Sequence, residues 1–179
     1  GMVSITENEG NARLTAALPR VMITLLGIEK VLPKMEDLAL FLPLLATAGA
    51  GQTVTGYNTL YGGPRQPGES DGPIEWHVVL LDNRRTELLA DPEQRDALHC
   101  IRCGACLYSC PMWKSVGGQA YGSPYSGPIG AVITPLLEGP SSPSSRDLPF
   151  MSSLCGACGE ACPVGIPLQD LLVRARARA

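Results

Sequence analysis

The chain has 179 residues, of which 45% are apolar, enough for one ordinary domain or two small ones with a packed core. Its formal net charge is −3 and 5% of its residues are aromatic, so it has neither the basic cluster nor the stacking side chains that nucleic-acid binding requires. We therefore expect no nucleic-acid partner.

The first 99 residues contain no cysteine and predict a mixed α/β region. Short runs rich in leucine and β-branched residues predict three strands, at residues 20–28, 53–60 and 76–82. A helix is predicted at residues 34–47, which have apolar side chains at helical spacing and two acidic residues near their start. Residues 62–73 are rich in glycine and proline and predict a loop.

No part of the chain predicts export or a membrane span. The N-terminal residues have neither the basic start nor the apolar core of a signal peptide. The longest apolar run, residues 38–51, is about 14 residues long and contains Pro43, whereas a spanning helix needs roughly 20. We therefore expect a soluble cytoplasmic protein.

The second half of the chain carries clearer helix signals. Residues 91–93 (Asp-Pro-Glu) form a helix start, because aspartate can cap, proline fits the first helical position and glutamate suits the positive end of the dipole. That helix is predicted to run to residue 99. A short helix is predicted at residues 130–137, a loop at 139–149 and a final helix at 167–178.

All seven cysteines lie in two related runs. Residues 100–111 read CIRCGACLYSCP, and residues 152–163 read SSLCGACGEACP, with a serine in place of the first cysteine. The first run has the Cys-x2-Cys-x2-Cys-x3-Cys-Pro spacing of bacterial ferredoxins, in which the fourth cysteine ligates the other cluster of a pair. In a reducing compartment such spacing indicates metal binding rather than disulfides.

Crossing the two runs gives a ligand set for two 4Fe–4S clusters. The first cluster would be held by Cys100, Cys103, Cys106 and Cys162. The second would be held by Cys110, Cys155 and Cys158, with Ser152 as a weak candidate for the eighth ligand. Because a neutral hydroxyl is a poor ligand, the second cluster is expected to have another fourth ligand or to be 3Fe–4S.

Structural zinc is the alternative, since zinc also uses Cys-x2-Cys pairs. Under that hypothesis the chain is a non-redox module, and its α/β part binds a metabolite or a partner. Iron–sulfur is favoured because a complete ferredoxin-type run followed by a second copy is uncommon among zinc sites.

Few other residues suggest a site. Glu9, Asn11 and Arg13 could line a small-molecule site, although turn chemistry between two strands explains them more simply. His77 lies in a strand pattern and is expected to be packed or on the surface. His99 adjoins the first cysteine and could tune a cluster, or could simply end a helix.

Residues 89–137 and 152–168 resemble the iron–sulfur subunit of the bacterial L-lactate utilisation system, the lactate utilisation protein B family. Residues 8–33 and 71–83 are similar to the end of that family's α/β domain. The resemblance implies an electron-transferring subunit of a three-protein complex that oxidises L-lactate to pyruvate. Its partners would be the other subunits of that complex, with an electron acceptor that the sequence does not identify.

The chain departs from the family pattern in three ways. It begins inside the α/β domain and stops soon after the second cysteine run, so the sheet is expected to expose an unpaired edge that a second copy or a partner covers. Gln119 stands where a histidine is expected. Ser152, by contrast, matches the family.

These observations predict an α+β chain, with a partial α/β domain at residues 2–90 and a mostly α-helical two-cluster ferredoxin module at residues 91–179. The 44 residues between Cys110 and Cys155 favour the helical type over a compact ferredoxin. The predicted function is electron transfer in lactate oxidation. The chain is not expected to be catalytic alone, because cleavage of a carbon–hydrogen bond needs a hydride or proton acceptor and the sequence indicates no such site.

Overall fold

The computed structural model describes residues 1–139 and 142–179, and the chain folds as two compact units, Gly1–Leu81 and Asp82–Ala179. The predicted domain boundary, between residues 90 and 91, lies inside the second unit. Residues 82–90 belong to that unit because Leu88 is buried there against Ile133 and Leu137.

The first unit contains both strands and helices. Its elements are β1 (Val3–Glu7), α1 (Asn11–Ala17), β2 (Val21–Gly27), α2 (Leu38–Ala50), β3 (Tyr57–Tyr61) and β4 (Glu75–Leu81), with 3-10 turns at Ile28–Lys30 and Met35–Asp37. β1 pairs antiparallel with β3, and β2 pairs parallel with β4. The three predicted strands and the predicted helix are confirmed as β2, β3, β4 and α2. The short elements β1 and α1 were not predicted.

The segment after β1 corrects one expectation. The sequence predicts a turn between two strands around Glu9 and Asn11, but the structure has a strand followed by a helix. The carboxylate of Glu7 accepts the backbone N–H groups of Ala12 and Arg13, each at 2.9 Å, which satisfies free donors at the start of α1. The first of these bonds is also the main cause that lowers the pKa of Glu7.

The pair formed by β2 and β4 is apolar and exposed. Ile23, Leu25 and Leu80 are 61%, 70% and 59% exposed, although parallel strands normally bury both faces. Each described strand pairs with one neighbour, so within the described part of the chain both two-stranded sheets have open edges. Coverage of such an edge by a second copy or a partner stays a prediction.

The second unit is mostly helical. Its helices are α3 (Arg85–Ala90), α4 (Ala105–Ser109), α5 (Pro111–Val116), α6 (Gly127–Glu138), α7 (Pro143–Arg146), α8 (Ala157–Glu160) and α9 (Leu168–Arg178), with 3-10 turns at Arg95–His99, Gly118–Tyr121 and Leu148–Met151. The predicted helices at 130–137 and 167–178 are confirmed as α6 and α9.

Helices α6 and α9 supply most of the core of this unit. Their apolar side chains pack in one cluster with Cys106 and Cys158, which come from the two cysteine runs. The fully buried residues of the two helices are Val132, Ile133, Leu168, Leu171 and Leu172. Candidate metal ligands therefore lie inside the hydrophobic core, so that folding and metal binding use the same residues.

Residues 91–99 form turns that end in the 3-10 segment, in place of the predicted α-helix. Asp91 accepts the N–H of Glu93 at 2.9 Å, two residues on, which is turn geometry. Its carboxylate also binds Arg178 of α9, and this contact is the main cause that lowers the pKa of Asp91. Arg178 reaches Glu93 as well, at 2.6 Å. These contacts hold the segment against α9 in its turn conformation.

The predicted loop at residues 139–149 includes residues 140 and 141, which lie outside the described residues. The part that follows them contains α7 and the 3-10 turn Leu148–Met151, so it is more helical than the sequence predicts. Pro143 opens α7, where its fixed φ suits a first turn, and Leu148 is buried in the core.

Replacing Leu171 with alanine is expected to lower the free energy of unfolding by about 2–5 kcal/mol, because Leu171 is fully buried and its truncation leaves a cavity. Val173 lies on the same helix but is 52% exposed, so Val173→Ala should change that free energy by no more than about 0.5 kcal/mol. Denaturant titration followed by circular dichroism measures both. Equal losses would contradict the buried face assigned to α9.

Candidate metal centre

The two cysteine runs adopt the same local backbone conformation. Arg102 and Leu154 each precede a cysteine and have φ values of 63° and 57°. Gly104 and Gly156 each follow that cysteine, and both have a φ of 84°. The left-handed region is uncommon for residues that carry a side chain and easy for glycine. Its recurrence at matching positions therefore identifies a shared turn in both runs.

Matching hydrogen bonds close the two turns. The N–H of Leu107 donates to the carbonyl of Gly104, and the N–H of Gly159 donates to the carbonyl of Gly156, both at 2.9 Å. Helices α4 and α8 begin at these points. α4 carries Cys106 into the core, and α8 carries Cys158, which stands at the matching position of the second run.

Ser152 occupies the structural position that Cys100 has in the first run. The Sγ atom of Cys100 accepts the N–H of Arg102 at 3.4 Å, and the Oγ atom of Ser152 accepts the N–H of Leu154 at 3.1 Å. The carbonyl of Ser152 also accepts from Arg176 of α9 at 2.5 Å. With a serine in place of the cysteine, the second run thus makes the same local contact as the first run.

Four thiols drawn from both runs line one cavity of about 300 Å³. They are Cys100, Cys103, Cys106 and Cys162, the set that the sequence predicts for the first cluster. Most of the other lining residues are apolar. The structure thus brings together three cysteines of the first run with the last cysteine of the second run, as the crossed assignment requires.

Burial is the main cause that raises the pKa of two of these thiols. The pKa of Cys106 is raised to about 12, mainly by burial, with the neighbouring Cys100, Cys103 and Cys158 contributing to the same shift. Burial also raises the pKa of Cys103, with smaller contributions from Cys100 and Cys162. Ligation by a metal requires the thiolate, so cluster binding at these positions must displace protons.

The second predicted group is also brought together, with Cys110 and Cys158 buried. Burial raises the pKa of Cys158, and both Cys110 and Cys155 add to the shift. Cys155 itself is exposed, and its pKa is lowered, first by the backbone N–H of Ala157 and then by the hydroxyl of Ser153. The serine next to Cys155 in the structure is therefore Ser153, a contact that the sequence did not predict.

The donor set fits an iron–sulfur cluster better than a single zinc ion. Zinc needs four ligands at about 2.0–2.3 Å from one point. Within residues 1–139 and 142–179, no group of three or more His, Cys, Asp or Glu side chains is arranged to hold one metal ion. Thiols spread around a cavity of about 300 Å³ suit a group of several atoms.

The other candidates from the sequence lie outside this cavity. Glu9, Asn11 and Arg13 are exposed in the first unit. His77 is exposed on β4, with its Nε2 atom 3.7 Å from a carboxylate oxygen of Glu75. His99 is exposed at the end of its 3-10 turn.

Three residues beside the thiols were missed in the sequence. Arg102 and Tyr125 line the cavity, and Tyr121 is 5% exposed in the same core as Cys106. Burial raises the pKa of Tyr121 to about 12, with Cys110 and Cys106 adding to the shift. Comparing the two runs position by position would have singled out Arg102, whereas the tyrosines reach the site only through the tertiary fold.

Comparison with known proteins accounts for both units. Residues 96–166, which contain all seven cysteines, match the family model of the 4Fe-4S dicluster domain, and residues 1–81 match that of the LUD domain. The chain is 49% identical over 176 residues to lactate utilization protein B of Shouchella clausii. It is 51% identical over 178 residues to lactate utilization protein B 1 of Bacillus mycoides.

The chain belongs to the lactate utilization protein B family. This confirms the resemblance inferred from the sequence and the α+β architecture. Another relative, 48% identical over 176 residues, is a protein of Escherichia coli K12 named uncharacterized electron transport protein YkgF. The chain is covered to 98–99% in these alignments but spans 36% of the length of each relative.

The family match supports iron–sulfur clusters as the cofactors of the second unit. No solved structure matches the chain. Within the residues that the structure describes, no helix is both long enough and apolar enough to cross a membrane.

Proposed function

We propose that this chain transfers electrons through two iron–sulfur clusters, as part of a system that oxidises L-lactate to pyruvate. The observation that carries the proposal is the cavity lined by four thiols from both cysteine runs. It lies within the segment that matches the 4Fe-4S dicluster domain. Iron–sulfur clusters accept and release single electrons, and this is the chemistry that they would supply here.

The proposed ligands follow the crossed assignment. Cys100, Cys103, Cys106 and Cys162 hold one 4Fe–4S cluster. Cys110, Cys155 and Cys158 hold the other. The fourth position of the second cluster is taken by a ligand other than cysteine, or the cluster is 3Fe–4S. The shared turn of the two runs supports this assignment, because Ser152 makes the same contact to the backbone as Cys100.

Backbone N–H groups of the chain assist the thiolates. Arg102 donates to the Sγ atom of Cys100 at 3.4 Å, and Ile166 donates to that of Cys162 at the same distance. Trp113 donates to the Sγ atom of Cys110 at 3.5 Å. Hydrogen bonds to ligand sulfurs stabilise negative charge there and tune the reduction potential of a cluster.

The lactate assignment rests on the names of the relatives, of which this chain spans about a third. The partners would be the other proteins of the lactate utilization system, which supply the carbon chemistry. The chain alone is then an electron carrier and does not oxidise lactate, because that reaction needs a hydride or proton acceptor beside the substrate.

Chemical analysis of the anaerobically purified chain tests the cofactors. We expect a brown protein with roughly seven to eight iron atoms and as many acid-labile sulfides per chain, the content of two clusters. Stoichiometric zinc without sulfide would contradict the proposal and support a structural zinc module. The same sample should not reduce an artificial dye with L-lactate.

Paired substitutions test which cysteines share a cluster. Cys162→Ala and Cys103→Ala should each remove about half of the iron, and the double variant should lose no more, because both residues hold one cluster. Cys110→Ala and Cys158→Ala should behave in the same way for the other cluster. Iron and sulfide analysis measures these losses. A Cys162→Ala, Cys103→Ala double variant without clusters would refute the crossed assignment.

Substitution of Ser152 tests the incomplete ligand set. After brief exposure to air, electron paramagnetic resonance should detect a 3Fe–4S signal from the second cluster. Ser152→Cys should suppress this signal, because the new thiol can accept a hydrogen bond from the N–H of Leu154, as Cys100 accepts one from the N–H of Arg102, and supplies a fourth thiolate. Ser152→Ala should change little. Loss of the whole cluster in Ser152→Ala would show that the serine oxygen is a true ligand.

A further inference from the structure

One charged side chain lines the cavity of the four thiols. Among the described residues that line this cavity, Arg102 is the only arginine, lysine, histidine, aspartate or glutamate. The turn that brings Arg102 there has a left-handed φ of 63°, which is uncommon for a residue with a side chain. Strained backbone conformations of this kind are frequent at functional sites, which favours a functional role for the side chain of Arg102.

The guanidinium of Arg102 is held in a defined place. It lies over the ring of Tyr125, 4.0 Å from the ring centroid, in cation–π geometry. Its Nη1 and Nη2 atoms are shielded from solvent. A charge that is stacked and shielded in this way is screened much less than one on a mobile surface side chain.

Tyr125 is itself anchored by a second arginine. Arg85 is 2% exposed, and its Nη2 atom donates to the hydroxyl of Tyr125 at 3.4 Å while its Nη1 atom donates to the carbonyl of Asp82 at 3.0 Å. The backbone of Tyr125 also packs closely on α6, because a Cβ atom at Gly130 would lie 2.0 Å from the carbonyl oxygen of Tyr125. Two elements of the second unit thus fix the ring that carries Arg102.

The second cysteine run has an apolar residue at the matching position. Leu154 has the same left-handed conformation as Arg102, and its N–H makes the matching contact, to Ser152. The two sites therefore differ by one positive charge at an otherwise equivalent point of the backbone. The first run therefore has a charged residue at this position of the turn, and the second run has an uncharged one.

We propose that Arg102 raises the reduction potential of the cluster held by Cys100, Cys103, Cys106 and Cys162, an inference that rests on the proposed function. Four thiolates make such a cluster anionic, and the electron that it accepts adds one more negative charge. A fixed cation in the wall stabilises the reduced form more than the oxidised form, and more strongly in an apolar cavity than in water. Arg102 acts through its charge, and Tyr125 acts by positioning that charge.

The test compares four variants of the full chain in redox titrations with dithionite, followed by electron paramagnetic resonance. Arg102→Leu reproduces the residue of the second run. At a fixed potential, this variant should show a ratio of oxidised to reduced first cluster that is about tenfold higher. For a one-electron couple, that change corresponds to a midpoint potential lower by about 59 mV. Arg102→Lys, which keeps the charge, should recover most of the shift.

Leu154→Arg is the converse change and leaves Arg102 and all seven thiols in place. It should raise the midpoint potential of the second cluster and leave that of the first unchanged. Arg95→Leu removes the same charge from an exposed residue outside the cavity and is the control. Its two potentials should match those of the unmodified chain.

Iron and sulfide analysis of each sample separates the possible failures. An unmodified chain without iron and sulfide would overturn both the proposed function and this inference. Intact clusters with an unchanged first potential in Arg102→Leu, or an equal shift in Arg95→Leu, would overturn the inference alone. If Arg102→Leu loses its clusters, the potentials of Arg102→Lys and Leu154→Arg decide the question. The role of the charge is overturned if Leu154→Arg does not raise the midpoint potential of the second cluster.

Discussion

The second unit depends on the left-handed turn that occurs once in each cysteine run. With φ positive at Arg102 and Gly104, and again at Leu154 and Gly156, the chain reverses tightly around a cysteine and starts a short helix directly afterwards. Cys106 and Cys158, which stand at matching positions of the two runs, are thereby directed into the core. Because both runs use the same turn, their helices α4 and α8 can pack against each other and combine thiols from both runs around one cavity.

The hydrophobic core and the candidate metal centre are parts of one structure. Cys106 and Cys158 pack in the same cluster as the buried leucines of α9 and the apolar face of α6. Burial there raises the pKa of Cys106 to about 12, so the metal-free thiol is protonated and inert at neutral pH. Metal binding in such a site releases protons and contributes to folding free energy. Stability and cofactor content of this unit are therefore coupled.

The two sites are related by their backbone but differ in their chemistry. One has four thiols around a cavity and a stacked arginine. The other has three cysteines, of which Cys155 is exposed, a serine in the fourth position and a leucine in place of the arginine. Under the proposed assignment, clusters at two sites with different ligands and charge are expected to differ in reduction potential.

The sequence by itself determined the elements whose signals are local. The strands β2 and β4 and the helix α9 follow from apolar runs and periodicity. The spacing of the cysteines favoured iron–sulfur clusters, and the crossed pairing that it suggested stays a prediction. Only the tertiary structure decided the rest. Residues 91–99 turn rather than form a helix because Arg178 of α9 binds Asp91 and Glu93. Tyr125 stacks on Arg102 because α6 and Arg85 hold it there. These contacts join residues far apart in the chain, and no local pattern encodes them.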